Sequence, residues 1–254
     1  MLHLHCTKAT ARILRNWENW SSMREYHVQH ESSSNIAHVP KEFKIGVSFK
    51  RIWNRHFTGR NKTLQLMNDF LLPESQHQET RVAVIYGSGG VGKTQLALEY
   101  ARKQEEIYGS IFWIDAHGPD TIKSSITECL KRILAHYIVN GISNSPRFHL
   151  LEKETESGRA IEGFLMWLAY EANRSWLLII DNLDDLESGR LRELLPSTKW
   201  GSVLITSRRS DLAFTWNAIQ VLVMDHDEAL DLLVRSSNSN PEIGTKGMEL
   251  FRGY

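Results

Sequence analysis

Residues 82–94 read VAVIYGSGGVGKT. An apolar run, Val82–Tyr86, meets four glycines within six positions, and Lys93 and Thr94 follow at once. The run has the length and branched content of a buried strand. The next stretch, GKTQLALEYARKQEEIYG (92–109), reads as a helix stopped at Gly109, since glycine suits the left-handed exit. So the most permissive residues of the region sit between the end of a strand and the mouth of a helix.

Outward from this point the same alternation repeats. SIFWIDA (110–116), SWLLII (175–180), SVLITS (202–207) and AIQVLV (218–223) are further strands. Pro119 and Asp120 open a long helix in which Ile122, Ile126, Leu130, Ile133 and Tyr137 share one face. Residues 141–157 read as a polar loop. AIEGFLMWLAYEA (160–172), ESGRLRELL (187–195) and DHDEALDLLVRSS (225–237) read as helices. Strands alternating with helices imply an α/β fold with a mostly parallel sheet. The strands are continuous apolar runs, which a sheet covered on both faces requires. Residues 1–55 are less regular: a short helix around 8–28 and then a linker, with ESSSN at 31–35 and Pro40.

The loop Gly87-Ser88-Gly89-Gly90-Val91-Gly92-Lys93-Thr94 fits the spacing G-x-x-x-x-G-K-[ST]. Glycines let the backbone turn tightly, so that successive N–H groups point inward as donors to an anion. The helix that follows adds its unpaired N–H groups and the positive end of its dipole. Lys93 supplies an ammonium for the outer phosphates of a nucleotide, and Thr94 a hydroxyl for Mg²⁺. At ordinary glycine usage of about 7%, a chance match needs on the order of a hundred chains of this length. The alternative, a glycine-rich turn with a surface lysine, is the weaker reading.

A phosphate site of this kind needs an acid for its Mg²⁺ at the end of a neighbouring strand. WLLIIDNLDD supplies Asp181 directly after an apolar run. Asp181 is read as the metal partner, with helix capping as the alternative; Asp184 and Asp185 order a water, cap or are simply solvated. The strand of GSVLITSRRSDL (201–212) ends at Ser207-Arg208-Arg209. Ligands of parallel sheets lie beyond the carboxyl ends of the strands. An arginine there can sense the terminal phosphate, with a surface arginine pair as the alternative, and Arg208 is preferred to Arg209.

The 254 residues carry 30 Lys plus Arg against 30 Asp plus Glu, which argues against a nucleic-acid binder. The balance conceals an asymmetry: residues 1–60 hold ten basic and four acidic side chains and six of the eleven histidines. A solvated tail is preferred there over a docking segment for an acidic partner or membrane. Two cysteines exclude a disulfide framework and suggest a reducing compartment, read as cytoplasmic. No run approaches the ~20 apolar residues of a membrane span, and no signal peptide is legible. His3, His5 and Cys6 lack a second ligand cluster and are read as a terminus, not a metal site.

In this order the motifs resemble the NB-ARC family, P-loop ATPases of the STAND signalling class, and the wording is most similar to fungal members. HFTGRNKTLQLMNDFL (56–71) resembles the family's leading segment, with Gly59 and Arg60 at the positions that help hold the nucleotide. YGSGGVGKTQLALEYA resembles its phosphate loop, WLLIIDNLDD its Walker B strand and GSVLITSRR its sensor strand. The resemblance covers about 56–237. It implies a three-layer α/β/α P-loop NTPase domain over 56–237, an N-terminal extension over 1–55, and the start of a helical subdomain over 238–254. It further implies ATP/ADP and Mg²⁺ as cofactors, with nucleotide contacts from Gly59, Arg60 and Gly87–Gln95 (Gly87, Ser88, Gly89, Gly90, Val91, Gly92, Lys93, Thr94, Gln95). Thr94 and Asp181 are implied at the metal, and Asp181 and Arg208 as catalytic. Family members are ADP-closed, ATP-open switches; self-association or an effector protein are the partners implied for a full-length relative.

Three departures qualify this. The family's Gly-Leu-Pro-Leu motif and winged-helix segment are not legible, which reads as a truncated chain. Asn182 stands where many relatives have a second acid, so hydrolysis is expected to be slow. Residues 1–55 are short for the usual effector domains. Against the switch reading stand a non-switching ATPase, similar to AAA+ proteins, and a non-catalytic interaction fragment.

Overall fold

The computed structural model describes residues 45–47, 54–72, 79–185, 191 and 194–236. The helix expected over 8–28, the linker after it, the His3/His5/Cys6 terminus, residues 238–254 and most of the helix expected over 187–195 lie outside them. Six strands form one sheet: β1 (Gly46–Val47), β2 (Arg81–Tyr86), β3 (Ser110–Asp115), β4 (Trp176–Asp181), β5 (Ser202–Ser207) and β6 (Asn217–Gln220). Their spatial order is β1-β3-β4-β5-β2-β6, and every pairing is parallel. Because parallel neighbours cannot be joined by a tight turn, each connection must cross a face of the sheet.

Helices α1 (Asn61–Leu71) and α2 (Lys93–Lys103) pack on one face, against Ala83, Ile85, Ile111, Leu177, Ile179 and Leu204. Helices α3 (Pro119–Val139), α4 (Pro146–Glu156) and α5 (Ala160–Ala169) pack on the other, against Val84, Phe112, Ile114, Leu178, Ile180 and Ile205. The strand period of two sends alternate side chains to each layer. Every residue of β4 and β5 is buried, which accounts for the continuous apolar runs Trp176–Ile180 and Val203–Ile205 within them. Phe112 anchors the second layer by edge-to-face contacts with Phe164 and Trp167, at centroid distances of 5.1 and 5.4 Å. Such pairs add about 0.5–1.5 kcal/mol each beyond their burial. Helix α6 (His226–Ser236) follows β6.

Several boundaries differ from the sequence reading. Helix α2 ends at Lys103, not Gly109. The chain turns at Gln104, whose carbonyl accepts from Ile107 and Tyr108 N–H, so that the buried Tyr108 hydroxyl can donate to Leu71 O at 2.7 Å. The stretch read as a polar loop contains α4. Ser145 caps it by accepting from Phe148 N at 3.2 Å, and Pro146 takes the first helical position. Only Phe148, Leu151 and Glu154 face inward on that helix. Strand β6 stops at Gln220, and Leu222 and Val223 are exposed. Among the described residues the sheet is wholly parallel, and Gly46–Val47 adds an edge strand the sequence did not suggest.

Candidate functional site

The carboxyl ends of β2, β4 and β5 converge on the loop between β2 and α2. Three of the loop's glycines, Gly87, Gly90 and Gly92, have φ of 154, 78 and 99°. A Cβ at Gly87 would stand 2.4 Å from the backbone oxygen of Val221, so that position is closed to any other residue. At Gly90 and Gly92 no atom lies within 4 Å of where a Cβ would be, which leaves open space at the mouth of α2. The Lys93 ammonium donates to Gly87 O and Ser88 O, both at 2.8 Å, and so sits inside the curl of the loop. Partial burial lowers its pKa; Asp184 opposes this, Arg208 adds to it, and Asp181 opposes it more weakly.

The reading of Asp181 as the end of a strand next to β2 needs correction: β5 lies between β2 and β4. The carboxylate nonetheless reaches the loop. Asp181 is fully buried, and its Oδ1 accepts from the hydroxyls of Thr94 at 2.9 Å and Thr206 at 2.6 Å. Thr206, on the intervening strand, is the bridge, and it also accepts from Asn182 N at 3.0 Å. Asn182 takes a left-handed conformation (φ 63°) with its amide 3.5 Å from Asp181 Oδ2. Among the described residues no group of three His, Cys, Asp or Glu is placed to hold a metal ion by itself.

Asp184 has a definite place. Its Oδ1 accepts from Arg208 N at 2.7 Å, and its Oδ2 lies 3.2 Å from Arg208 Nε. The guanidinium carbon of Arg208 is thereby 3.4 Å from where a Cβ of Gly89 would stand. Arg209 turns away and pairs with Asp211, Nη2 to Oδ2 at 2.6 Å. Gly59 and Arg60 precede α1 on the other side of the loop, and Arg60 Nη2 donates to Val91 O at 3.3 Å. Gln95 follows Thr94 on α2 with its Oε1 buried and, among the described residues, without a hydrogen-bond partner. Thus Lys93, Thr94, Asp181 and Arg208 come together at one end of the sheet, with Arg60 on the loop's flank. Thr206 is the member that sequence reasoning passed over, and Asp184, read as ordering a water, capping or solvated, instead pairs with Arg208. Their only signal was position: one lies within a strand, the other in an acidic turn.

A profile of the NB-ARC domain matches residues 60–242. A nucleotide-binding leucine-rich repeat (NLR)-like protein of the fungus Hyaloscypha variabilis is 30% identical over 202 residues, covering 72% of this chain and 19% of the relative. The chain therefore spans about a fifth of that relative's length. Among solved structures, a STAND protein with a tetratricopeptide repeat sensor from Pyrococcus horikoshii is 21% identical, with a TM-score of 0.44, over 80% of this chain and 29% of that one. Cdc6p from Pyrobaculum aerophilum is 15% identical, with a TM-score of 0.46, over 74% and 52% respectively.

Proposed function

The chain belongs to the NB-ARC domain family, a nucleotide-binding family of P-loop NTPases, and on that premise we propose that it is the ADP- and ATP-holding core of a STAND-type signalling switch. The observation that carries the proposal is the buried Asp181 carboxylate at the end of β4, bonded to the hydroxyl of Thr94, the residue after Lys93. That arrangement suits Mg²⁺, which takes one or two protein oxygens and completes its shell with phosphates and waters. The Thr94 hydroxyl and Asp181 would hold the ion, which when bound neutralises phosphate charge.

Lys93 meets the outer phosphates by exchanging its bonds to Gly87 O and Ser88 O for phosphate oxygens. The open faces at Gly90 and Gly92 admit the anion to the backbone donors. Gly59 and Arg60 hold the nucleotide from the α1 side, and Gln95 contacts it from the first turn of α2. Asp184 orients Arg208 so that the guanidinium faces the γ-phosphate position. Asn182 offers a neutral amide where a general base would stand, so turnover is slow. On this reading the nucleotide unit covers 56–237 and works in the cytoplasm. Self-association or an effector contact belongs to the longer proteins of this kind.

Extraction of nucleotide from the purified chain, followed by chromatography, tests the proposal. Bound ADP with turnover slower than about 1 min⁻¹, far below the usual enzyme range, is the expected result. An empty site that takes up neither nucleotide would overturn it, and rapid turnover would favour a non-switching ATPase. Arg208→Ala is expected to weaken a non-hydrolysable ATP analogue about tenfold, the loss of one charge-assisted contact, and to leave ADP within about twofold. Equal losses for both nucleotides in calorimetry would remove Arg208 from the γ-phosphate.

A further inference from the structure

Helix α1 begins without the local devices that usually start a helix. Its cap residue Arg60 has φ 59°, no side chain caps it, and its first turn carries no acid. In a capping box, a glutamate three residues into the helix accepts from the cap residue's own N–H. Here that acceptor comes from the far end of the domain. Glu228 Oε1, on the first turn of α6, accepts from Arg60 N at 2.8 Å across 168 residues of chain. A carboxylate at that point also faces the positive end of the α1 dipole.

Two neighbouring observations tie the same elements together. The Thr58 hydroxyl donates to Asp231, one turn further along α6 and so on the same face as Glu228. A Cβ at Gly59 would stand 2.7 Å from the Glu228 carboxyl carbon and would push the carboxylate aside, and the φ of 68° itself favours glycine. On its other side the same turn sends Arg60 Nη2 to Val91 O in the phosphate loop. The chain of contacts thus runs from α6 through Glu228 and the Gly59–Arg60 turn to the loop.

We infer that Glu228 is a positioning residue for the nucleotide: it pins the Gly59–Arg60 turn against the phosphate loop, so that helix α6 must stay docked for the site to hold its ligand. Among the described residues no hydrogen bond joins Glu228 to the Gly87–Thr94 loop. The carboxylate acts through the left-handed backbone of Arg60, which has no other partner for its N–H among the described residues. A displacement of α6 withdraws the carboxylate, frees the turn and removes Arg60 from Val91. The inference rests on the reading of Gly87–Thr94 as the nucleotide site.

Release of a fluorescent ADP analogue from the full chain, chased with excess unlabelled ADP in stopped flow, is the test. Glu228→Ala is expected to speed release about tenfold, the effect of one lost hydrogen bond to a charged group. Glu228→Gln keeps an acceptor oxygen and is expected to stay within about threefold of the parent, since the neutral bond is the weaker one. Arg60→Ala and the double variant Arg60→Ala/Glu228→Ala are expected to release at the same rate, because Glu228 works through Arg60. Parent-like release from Glu228→Ala, or additive effects in the double variant, would overturn the positioning role. If the parent chain and Lys93→Ala bind the analogue equally, the nucleotide site has failed instead, which separates the two claims.

Discussion

Lys93→Ala is expected to lose ADP and ATP binding by two to three orders of magnitude while the domain still melts cooperatively. The ammonium stands inside the curl of the loop, 2.8 Å from both Gly87 O and Ser88 O. It is thus already aimed at the open space beside Gly90 and Gly92. Replacing two carbonyl bonds by contacts to an anion strengthens each of them, because both partners are then charged. Removing the charge forfeits about 3–4 kcal/mol, the low end of two charged hydrogen bonds at about 1.5–3 kcal/mol each. The core on either face of the sheet does not include Lys93, so the fold should survive. Calorimetric titration with ADP, beside a thermal melt, checks both halves; equal ADP affinity in variant and parent would defeat the assignment. The lowered pKa adds a pH signature, since the binding form is the ammonium. In the empty site it is lost as pH rises at lower values than an exposed lysine requires, chiefly because of burial. ADP affinity should therefore begin to fall below the ordinary lysine range, and Lys93→Ala should lack that alkaline limb.

The phosphate loop was legible because its chemistry fixes residue types at fixed spacings, and a strand and helix at its two ends are local features. Helices with one continuous apolar face, such as α3, were legible for the same reason. Strand order was not, because the fold inserts β5 between β2 and β4. The sequence placed Asp181 at a strand end but carried no mark of Thr206, whose hydroxyl joins the two across the sheet. Asp184 was open to ordering a water, capping or solvation, and only the curl after β4 brings it to Arg208. Helix α4 did carry a signal, Ser145 followed by Pro146, but its charged residues masked a narrow buried stripe. Glu228 was beyond reach, because nothing near it or near Arg60 marks a contact made across 168 residues.

The second large effect is expected at Asp181, and the choice of substitution decides what it reports. Asp181→Ala removes an acceptor shared by Thr94 and Thr206, so it disturbs the bridge between α2, β4 and β5 as well as any metal. Asp181→Asn keeps an oxygen for both hydroxyls and nearly the same volume; it deletes the charge and turns an amide N–H toward Asn182. In EDTA, the asparagine variant should bind ATP within about threefold of the parent, because an exposed phosphate contact is not lost. With Mg²⁺ the parent should gain affinity and the variant should gain little, opening a gap of roughly thirty- to a hundredfold, about 2–3 kcal/mol. The size follows from where the carboxylate sits. A fully buried anion carries a large desolvation cost, and two hydroxyl donors offset part of it. A cation beside it offsets more, so Asp181 and Mg²⁺ should each strengthen the other's hold on the site. The alanine variant should show the same Mg²⁺-dependent gap plus a further loss in EDTA, and that difference measures the bridge alone. If both variants lose equal affinity with and without Mg²⁺, the carboxylate is a strut that ties Thr94 to the sheet, and the ion is held elsewhere.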